Sequence, residues 1–432
     1  MKPIVELWSS VELGAFGRGL LRNLEDVGFD TRHRFEVGEE RYRGARAPLA
    51  RGRVRWRSYV SYPLSLWARL RNEAPPDVLI VCTNTFFAPA VALWSARSRV
   101  PIVNWVFDLY PDVLVEGKKI RGGGAPERLL AALTRATFAS ASASVFLGER
   151  LRGHAEERYG PCLRSRVIPV GADGDVFGEV QPTLREPDEP LRVLYSGNLG
   201  RMHDTQTVAS LIANPGTSSW RIAFRGHGAG IQELAPLAAG ADGRVTFGGS
   251  LPEAEWAAAM KSAEVALVTM RPGAERLVMP SKTYSAMMAG QAILAVCPVD
   301  SDLAETVRRD DAGWVVAPGD WLGLRDVLSA ATANPQLVHR KRLNALRAGR
   351  ERYDQRVVAG AWIDLIYELI GTQTPSSELR ARGKAAPAQR AFPRLLTRLD
   401  VKHEPAPSKR WSEGVIEYNL EAQAYRGALS NG

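Results

Sequence analysis

The sequence predicts an α/β protein made of two halves, each a parallel sheet covered by helices. Three observations carry that expectation. Short apolar runs of strand length alternate with longer helix-like segments, the rhythm of strands joined by crossover helices. The rhythm stops at a stretch rich in glycine and proline and then begins again. At 432 residues the chain is too long for one ordinary core, and 45% hydrophobic residues suffice for two.

In the first half, strands are expected near Ile4 to Leu7, Val78 to Cys82, Pro101 to Phe107, Ser144 to Leu147 and Arg166 to Pro169. Helices are expected over Gly17 to Val27, Phe87 to Ser98, Glu127 to Ala139 and Gly148 to Tyr159. Gly171 to Pro190 contains Gly171, Gly174, Gly178, Pro182, Pro187 and Pro190, so it reads as a linker. In the second half, strands follow near Leu191 to Ser196, Trp220 to Arg225, Arg244 to Phe247, Val265 to Thr269, Ala292 to Val296 and Gly313 to Val316. The spans are therefore set at 1–172, a linker at 173–190, and 191–356. The apolar spacing over Val357 to Ile370 suits a packing helix. Residues 372–432 form a C-terminal extension. Its Thr372 to Pro387 part has linker composition, and Phe392 to Leu399 could form a short basic amphipathic helix.

Composition removes several functions. Cys82, Cys162 and Cys297 are far apart and odd in number, against a disulfide framework or zinc site and in favour of a reducing cytoplasm. His33, His154, His203, His227 and His339 show no metal-ligand spacing, so no metal and no cofactor is expected. There is no Walker loop and no Gly-x-Ser-x-Gly elbow. The opening Met1 to Trp8 lacks the long apolar core of a secretory signal, and no segment approaches the roughly 20 apolar residues that span a bilayer. A soluble or peripheral cytoplasmic protein is the expectation.

The formal charge is +9, and its surplus is local. From Arg41 to Arg71 there is no acidic residue, while Arg43, Arg46, Arg51, Arg53, Arg55, Arg57 and Arg69 alternate with Tyr42, Trp56, Tyr59, Tyr62 and Trp67. Arginine attracts anionic headgroups, and tryptophan and tyrosine favour the water–hydrocarbon boundary, so this stretch suits an anionic membrane surface. A solvated arginine-rich face is the plainer alternative. Nucleic acid is not expected, because no recognised nucleic-acid motif accompanies the patch.

The most informative segment is Met279 to Val296, which reads as loop, helix start, helix stop and buried strand. Pro280 and Ser281 suit a helix start, where a serine oxygen can accept an orphan N–H. Lys282 adds a full charge at the positive end of the helix, so a diphosphate is the natural guest. Gly290 then stops the helix. The segment resembles the Pro-Ser-Lys helix of family 4 glycosyltransferases with the GT-B fold, especially those making bacterial surface polysaccharides. Where many of those proteins have a glutamate that bonds the nucleotide ribose, this chain has Ser285.

Further matches follow in order. Leu194-Tyr195-Ser196-Gly197-Asn198-Leu199-Gly200-Arg201 resembles the phosphate-side turn of the donor half, where glycines admit phosphate to the backbone and Arg201 neutralises it. Phe224-Arg225-Gly226-His227-Gly228 and Val245-Thr246-Phe247-Gly248-Gly249 resemble the next two strands and turns, with Gly248 bordering the nucleobase. Glu275 is the only carboxylate of the loop Gly273 to Met279, equally readable as a sugar contact or a solvated charge. Donor-binding candidates are thus Gly197, Asn198, Gly200, Gly226, Gly248, Glu275, Ser281 and Ser285.

In the first half, Asn104 to Asp112 is an apolar strand ending in an acidic, aromatic loop, at the strand end where open parallel sheets bind ligands. Asp108 is the preferred acceptor-side residue and Asp112 a second, although Asp108 could equally cap the following turn. Gly14 and Gly17 follow the first strand, where the family usually has a glycine-rich loop near the acceptor.

The resemblance implies two Rossmann-like domains with parallel sheets facing a central cleft, and a retaining hexosyl- or N-acetylhexosaminyl-transferase. It takes a nucleotide diphosphate sugar, UDP first and GDP second, and a glycan or polyprenyl-linked acceptor. Lys282, Arg201 and Asp108 are the catalytic candidates. A nucleotide-sugar epimerase and a non-catalytic partner subunit are the alternatives.

Overall fold

The structure is a computed structural model in which residues 2–44, 48–96 and 100–371 are described. Arg46, within the basic stretch, and the expected Phe392 to Leu399 helix lie outside the described residues.

The first sheet contains β1 (Ile4–Val11), β2 (Asp30–Val37), β3 (Val78–Cys82), β4 (Ile102–Val106), β5 (Ala143–Phe146) and β6 (Ser165–Val167). Its order is β2-β1-β3-β4-β5-β6, all parallel. The second contains β7 (Leu191–Asn198), β8 (Trp220–His227), β9 (Val245–Gly248), β10 (Val265–Thr269), β11 (Ala292–Val296) and β12 (Gly313–Val316). Its order is β12-β11-β10-β7-β8-β9, again parallel. β3, β4, β10 and β11 are buried along their whole length, as strands covered on both faces must be.

β2 is the element that strand patterning missed. It is an edge strand of sequence Asp-Thr-Arg-His-Arg-Phe-Glu-Val, mostly exposed or half-exposed, so it presents no apolar run. The first helix begins at Gly14, three residues before the expected start.

Each sheet reverses its winding at one point, between β1 and β3 in the first and between β7 and β10 in the second. Crevices at the carboxyl ends of strands beside such reversals are where doubly wound sheets bind ligands. The Gln355–Ile370 helix returns to the first sheet. Trp362 meets Trp105 of β4 edge-on at 4.8 Å, and Glu368 pairs with Arg164 and Arg166 beside β6. The linker is strapped to the second half by buried Arg185, which donates to the carbonyls of Ala331 and Thr332 and pairs with Glu264 at 3.3 Å.

Candidate functional site

β7 ends in Gly197-Asn198, and Gly197 takes φ +114°, a backbone that L side chains rarely adopt. A Cβ there would lie 3.9 Å from the Lys282 ammonium, so this turn borders the lysine. Lys282 opens the Lys282–Met288 helix, and its Nζ donates to the Tyr195 phenol and, at 3.2 Å, to the Asn198 carbonyl. The same ammonium stands 4.1 Å from the centre of the Tyr195 ring. Those are its polar partners among the described residues, and no carboxylate neutralises it. Burial therefore pushes its pKa down from 10.5 to about 7.

Behind the lysine, His203 Nδ1 hydrogen-bonds the Thr269 carbonyl at 2.6 Å, at the end of β10. Burial, and next the Lys282 charge, lower its pKa to about 3, so the imidazole is neutral with Nδ1 as the donor. The turn carrying it is fixed again where the Arg271 N–H donates to the Met202 carbonyl at 3.0 Å. Neither Tyr195 nor His203 is a site candidate from the sequence: Tyr195 lies in the strand before the Gly197 turn and reads there as a core position, and His203 belongs to no motif with recognisable spacing.

The other donor-side candidates fall into distinct places. A Cβ on Gly226 would sit 2.0 Å from the Gly197 carbonyl oxygen, so this glycine lets the ends of β7 and β8 meet. Gly248 lies under the Arg225 guanidinium, and Gly200 packs against the Asn198 side chain. Arg201 is exposed, with no hydrogen bond or ion pair to the described residues. Glu275 turns inward on its own loop, where a carboxylate oxygen accepts the Gly273 N–H at 2.7 Å. Ser281 corrects the capping expectation. It has helical backbone angles and its hydroxyl makes no cap, so the first turn relies on backbone bonds instead. Ser285 stands three residues beyond Lys282, partly exposed, on the same side of the helix.

In the first half, the Thr83 hydroxyl accepts the Phe107 N–H at 3.0 Å and donates to the Asp108 carbonyl at 3.2 Å, fixing the loop after β4. Asp108 lines a small cavity with Thr83, Phe86, Asn104 and Tyr110. Burial raises its pKa from 3.8 to about 6. Asp112 is a correction: only 5% exposed, it is bound by Tyr159, by His154 at 3.1 Å and by Arg158 at 3.2 Å. All three partners belong to the Glu149–Tyr159 helix, so its carboxylate is committed to packing. Burial would raise its pKa, but these hydrogen bonds and the Arg158 charge hold it below the usual value.

Gly14 sits against the Glu39 carboxylate, and Gly17 lies inside the first helical turn against Leu13. Neither is brought to Asp108 or Lys282 by any described contact. The halves touch through polar pairs near the site. Glu116, just after the Asp108 loop, binds Arg271 at 2.6 Å, and a Cβ on Gly273 would lie 3.4 Å from the same carboxylate. Asp302 of the second half accepts the Arg150 N–H at 3.0 Å, at the start of the Glu149–Tyr159 helix.

Among the described residues no cluster of His, Cys, Asp or Glu could hold a metal, and no helix is long and apolar enough to cross a membrane.

Residues 191–334, which hold β7 through β12, match the family described as Glycosyl transferases group 1. They are a group 1 glycosyltransferase domain. The curated relative WbjE of Pseudomonas aeruginosa, named a probable glycosyltransferase, is 28% identical over 292 residues, covering 64% of this chain and 70% of that protein. The chain also shares its fold with solved structures. Sucrose-phosphate synthase from Thermosynechococcus elongatus superposes with a TM-score of 0.66 at 15% identity, over 86% of this chain and 100% of that one. HepE of Anabaena, solved with UDP-glucose, gives 0.62 at 15% identity over 86% and 100%. WaaG, described as a glycosyltransferase involved in lipopolysaccharide biosynthesis, gives 0.58 at 16% identity over 84% and 99%. The chain thus has the GT-B fold, with its group 1 domain carrying Lys282.

Proposed function

We propose that the chain is a retaining transferase that moves a hexosyl or N-acetylhexosaminyl group from a nucleotide diphosphate sugar to a glycan or polyprenyl-linked acceptor, in surface polysaccharide or lipopolysaccharide assembly on the cytoplasmic side. UDP is the first donor base and GDP the second; UDP-glucose is bound by the HepE structure, which shares the fold. The carrying observation is Lys282, poised without a carboxylate partner beside the Gly197 turn, where the second sheet reverses its winding. An ammonium with that deficit of countercharge suits a diphosphate.

The donor is assigned to residues 191–356 and the acceptor to 1–172, with 173–190 between them. The bond from the anomeric carbon to the diphosphate breaks while the acceptor oxygen bonds the same carbon from the leaving-group face. The acceptor's proton passes to the departing phosphate oxygen. Lys282 and Arg201 stabilise the charge that gathers on the diphosphate, and that is the largest available contribution to rate. Asp108, which lines its cavity, holds an acceptor hydroxyl. Glu116 and Arg271 join the acceptor and donor loops, so closure orients both substrates and limits hydrolysis. Gly197, Asn198, Gly200 and Gly226 shape the phosphate turn, Gly248 the base side, and Glu275, Ser281 and Ser285 the sugar and ribose side.

Ser285, standing where a glutamate is common in the family, favours a second reading as a non-catalytic partner subunit. Incubation with UDP- and GDP-sugars, with and without a lipid extract as acceptor, separates the readings. Transfer that requires acceptor supports the proposal. Donor conversion without acceptor indicates an epimerase, and binding of no nucleotide at all supports the partner subunit.

A further inference from the structure

We infer that the face formed by residues 49–72 is a docking surface for an anionic lipid bilayer. On the Pro48–Trp56 helix, Leu49 is 84% and Trp56 59% exposed. The Tyr62–Asn72 helix adds Leu64 at 60%, and the Ala88–Ala96 helix adds Trp94 at 65%, stacked on Trp67 at 6.5 Å. A helix gains its stability in a fold by burying an apolar stripe, as the Tyr62–Asn72 helix does with Tyr62, Leu66 and Leu70, yet Leu49, Trp56, Leu64 and Trp94 point to water.

Charge names the occupant. Arg53 and Arg55 stand exposed between Leu49 and Trp56, and the Arg71 guanidinium lies 5.4 Å from the Trp67 ring and 5.5 Å from Trp94. With no acid between Arg41 and Arg71, two copies meeting through this face would set arginine against arginine. Leu49, Val60 and Leu64 are exposed aliphatics that neither stack on bases nor pair with phosphates, which disfavours nucleic acid. Tryptophan, leucine and arginine together match the headgroup boundary of a negatively charged leaflet. From below, Glu36 of β2 accepts the hydroxyls of Ser61 at 3.2 Å and Ser65 at 2.7 Å, holding the face to the sheet.

The face also leads inward. Tyr59, exposed within it, has its ring 6.1 Å from Phe86, and Phe86 is 5.2 Å from Tyr110. Phe86 and Tyr110 both line the Asp108 cavity. A lipid-anchored acceptor would reach Asp108 along this aromatic path without leaving the interface; this step rests on the transferase reading, whereas the docking does not.

The test is co-sedimentation of the full chain with phosphatidylcholine vesicles, with and without phosphatidylglycerol, beside a UDP titration. Binding only to phosphatidylglycerol vesicles, weakened by salt, is expected. A Trp56→Ser, Leu64→Ser variant and an Arg53→Glu, Arg55→Glu variant should each keep the wild-type melting temperature and UDP affinity, and lose vesicle partitioning by about tenfold or more. Partitioning by both variants equal to wild type, or equal binding to neutral vesicles, would overturn the inference. So would a dimer, or single-stranded DNA binding, that the same variants abolish while vesicles are ignored. Vesicle binding without UDP binding would leave the docking standing and remove the transferase reading.

Discussion

The Lys282 ammonium hydrogen-bonds the phenol of Tyr195 and at the same time lies 4.1 Å from the centre of its ring, so one aromatic side chain both aims the lysine and stands in for its missing anion. Tyr195 in turn donates to the Asn198 carbonyl at 2.8 Å, the same oxygen that Lys282 reaches. The arrangement holds a positive charge in place, poorly solvated, until an anion arrives.

Donor binding should therefore take up a proton. Burial holds Lys282 down to about 7 in the free protein, and a diphosphate raises it again. The bound form is the protonated one, so the lysine itself costs UDP affinity nothing below about pH 7. Above that it falls by about tenfold per pH unit until the pKa of the complex is reached. Calorimetry in buffers of different ionisation enthalpy measures the uptake at pH 8. Lys282→Arg, which does not titrate in this range, should abolish it.

Asp108 and Asp112 should respond in opposite ways. Asp108→Asn removes a carboxylate whose folded pKa, about 6, lies above its unfolded value, so that at pH 7.5, as an assay condition of about neutral pH, the native charge is a cost. Its melting temperature should hold or rise while transfer falls. Asp112→Ala strands Tyr159 and His154 and should cost about 1–3 kcal/mol. Because the Asp112 pKa is depressed on folding, its contribution is present above the unfolded value and is lost as pH falls through the folded one. Thermal melts from neutral pH downward, paired with turnover per folded molecule, check both.

That pair also marks what the sequence could reveal. Two aspartates four residues apart in one loop look alike until the Glu149–Tyr159 helix takes hold of one of them. Lys282 and Gly197 were legible because turn and helix-start chemistry is local, and β10 and β11 because burial on both faces demands unbroken apolar runs. β2 was hidden by its edge position, and Tyr195 and His203 by contacts that exist only once β7 and β10 lie side by side. Ser281 shows the converse: its type suited a cap, yet its backbone is already helical.

Arg271 and Glu116 form a partly exposed pair, so Arg271→Ala should change stability by under about 1 kcal/mol. The loops it joins would close less firmly. Transfer should fall while donor hydrolysis rises as a share of turnover, read by following nucleotide diphosphate and glycosylated product together.

Ser285→Glu would place a carboxylate one helical turn from Lys282, on the side facing the proposed ribose. UDP should bind about tenfold more tightly than to the wild type, the worth of one hydrogen bond to a charged group. Ser285→Ala should change affinity little, and titration of UDP into the three proteins decides the matter.

The most direct measurement is the rate of sugar transfer by Lys282→Ala, with its melting curve, against wild type under the same donor and acceptor. The Tyr195 phenol keeps its bond to the Asn198 carbonyl without the lysine, so the fold should survive with an unchanged or higher melting temperature. Turnover should drop by about a hundredfold or more, as when a group stabilising transition-state charge is removed. Wild-type turnover in that variant would contradict the placement of the donor diphosphate at Lys282.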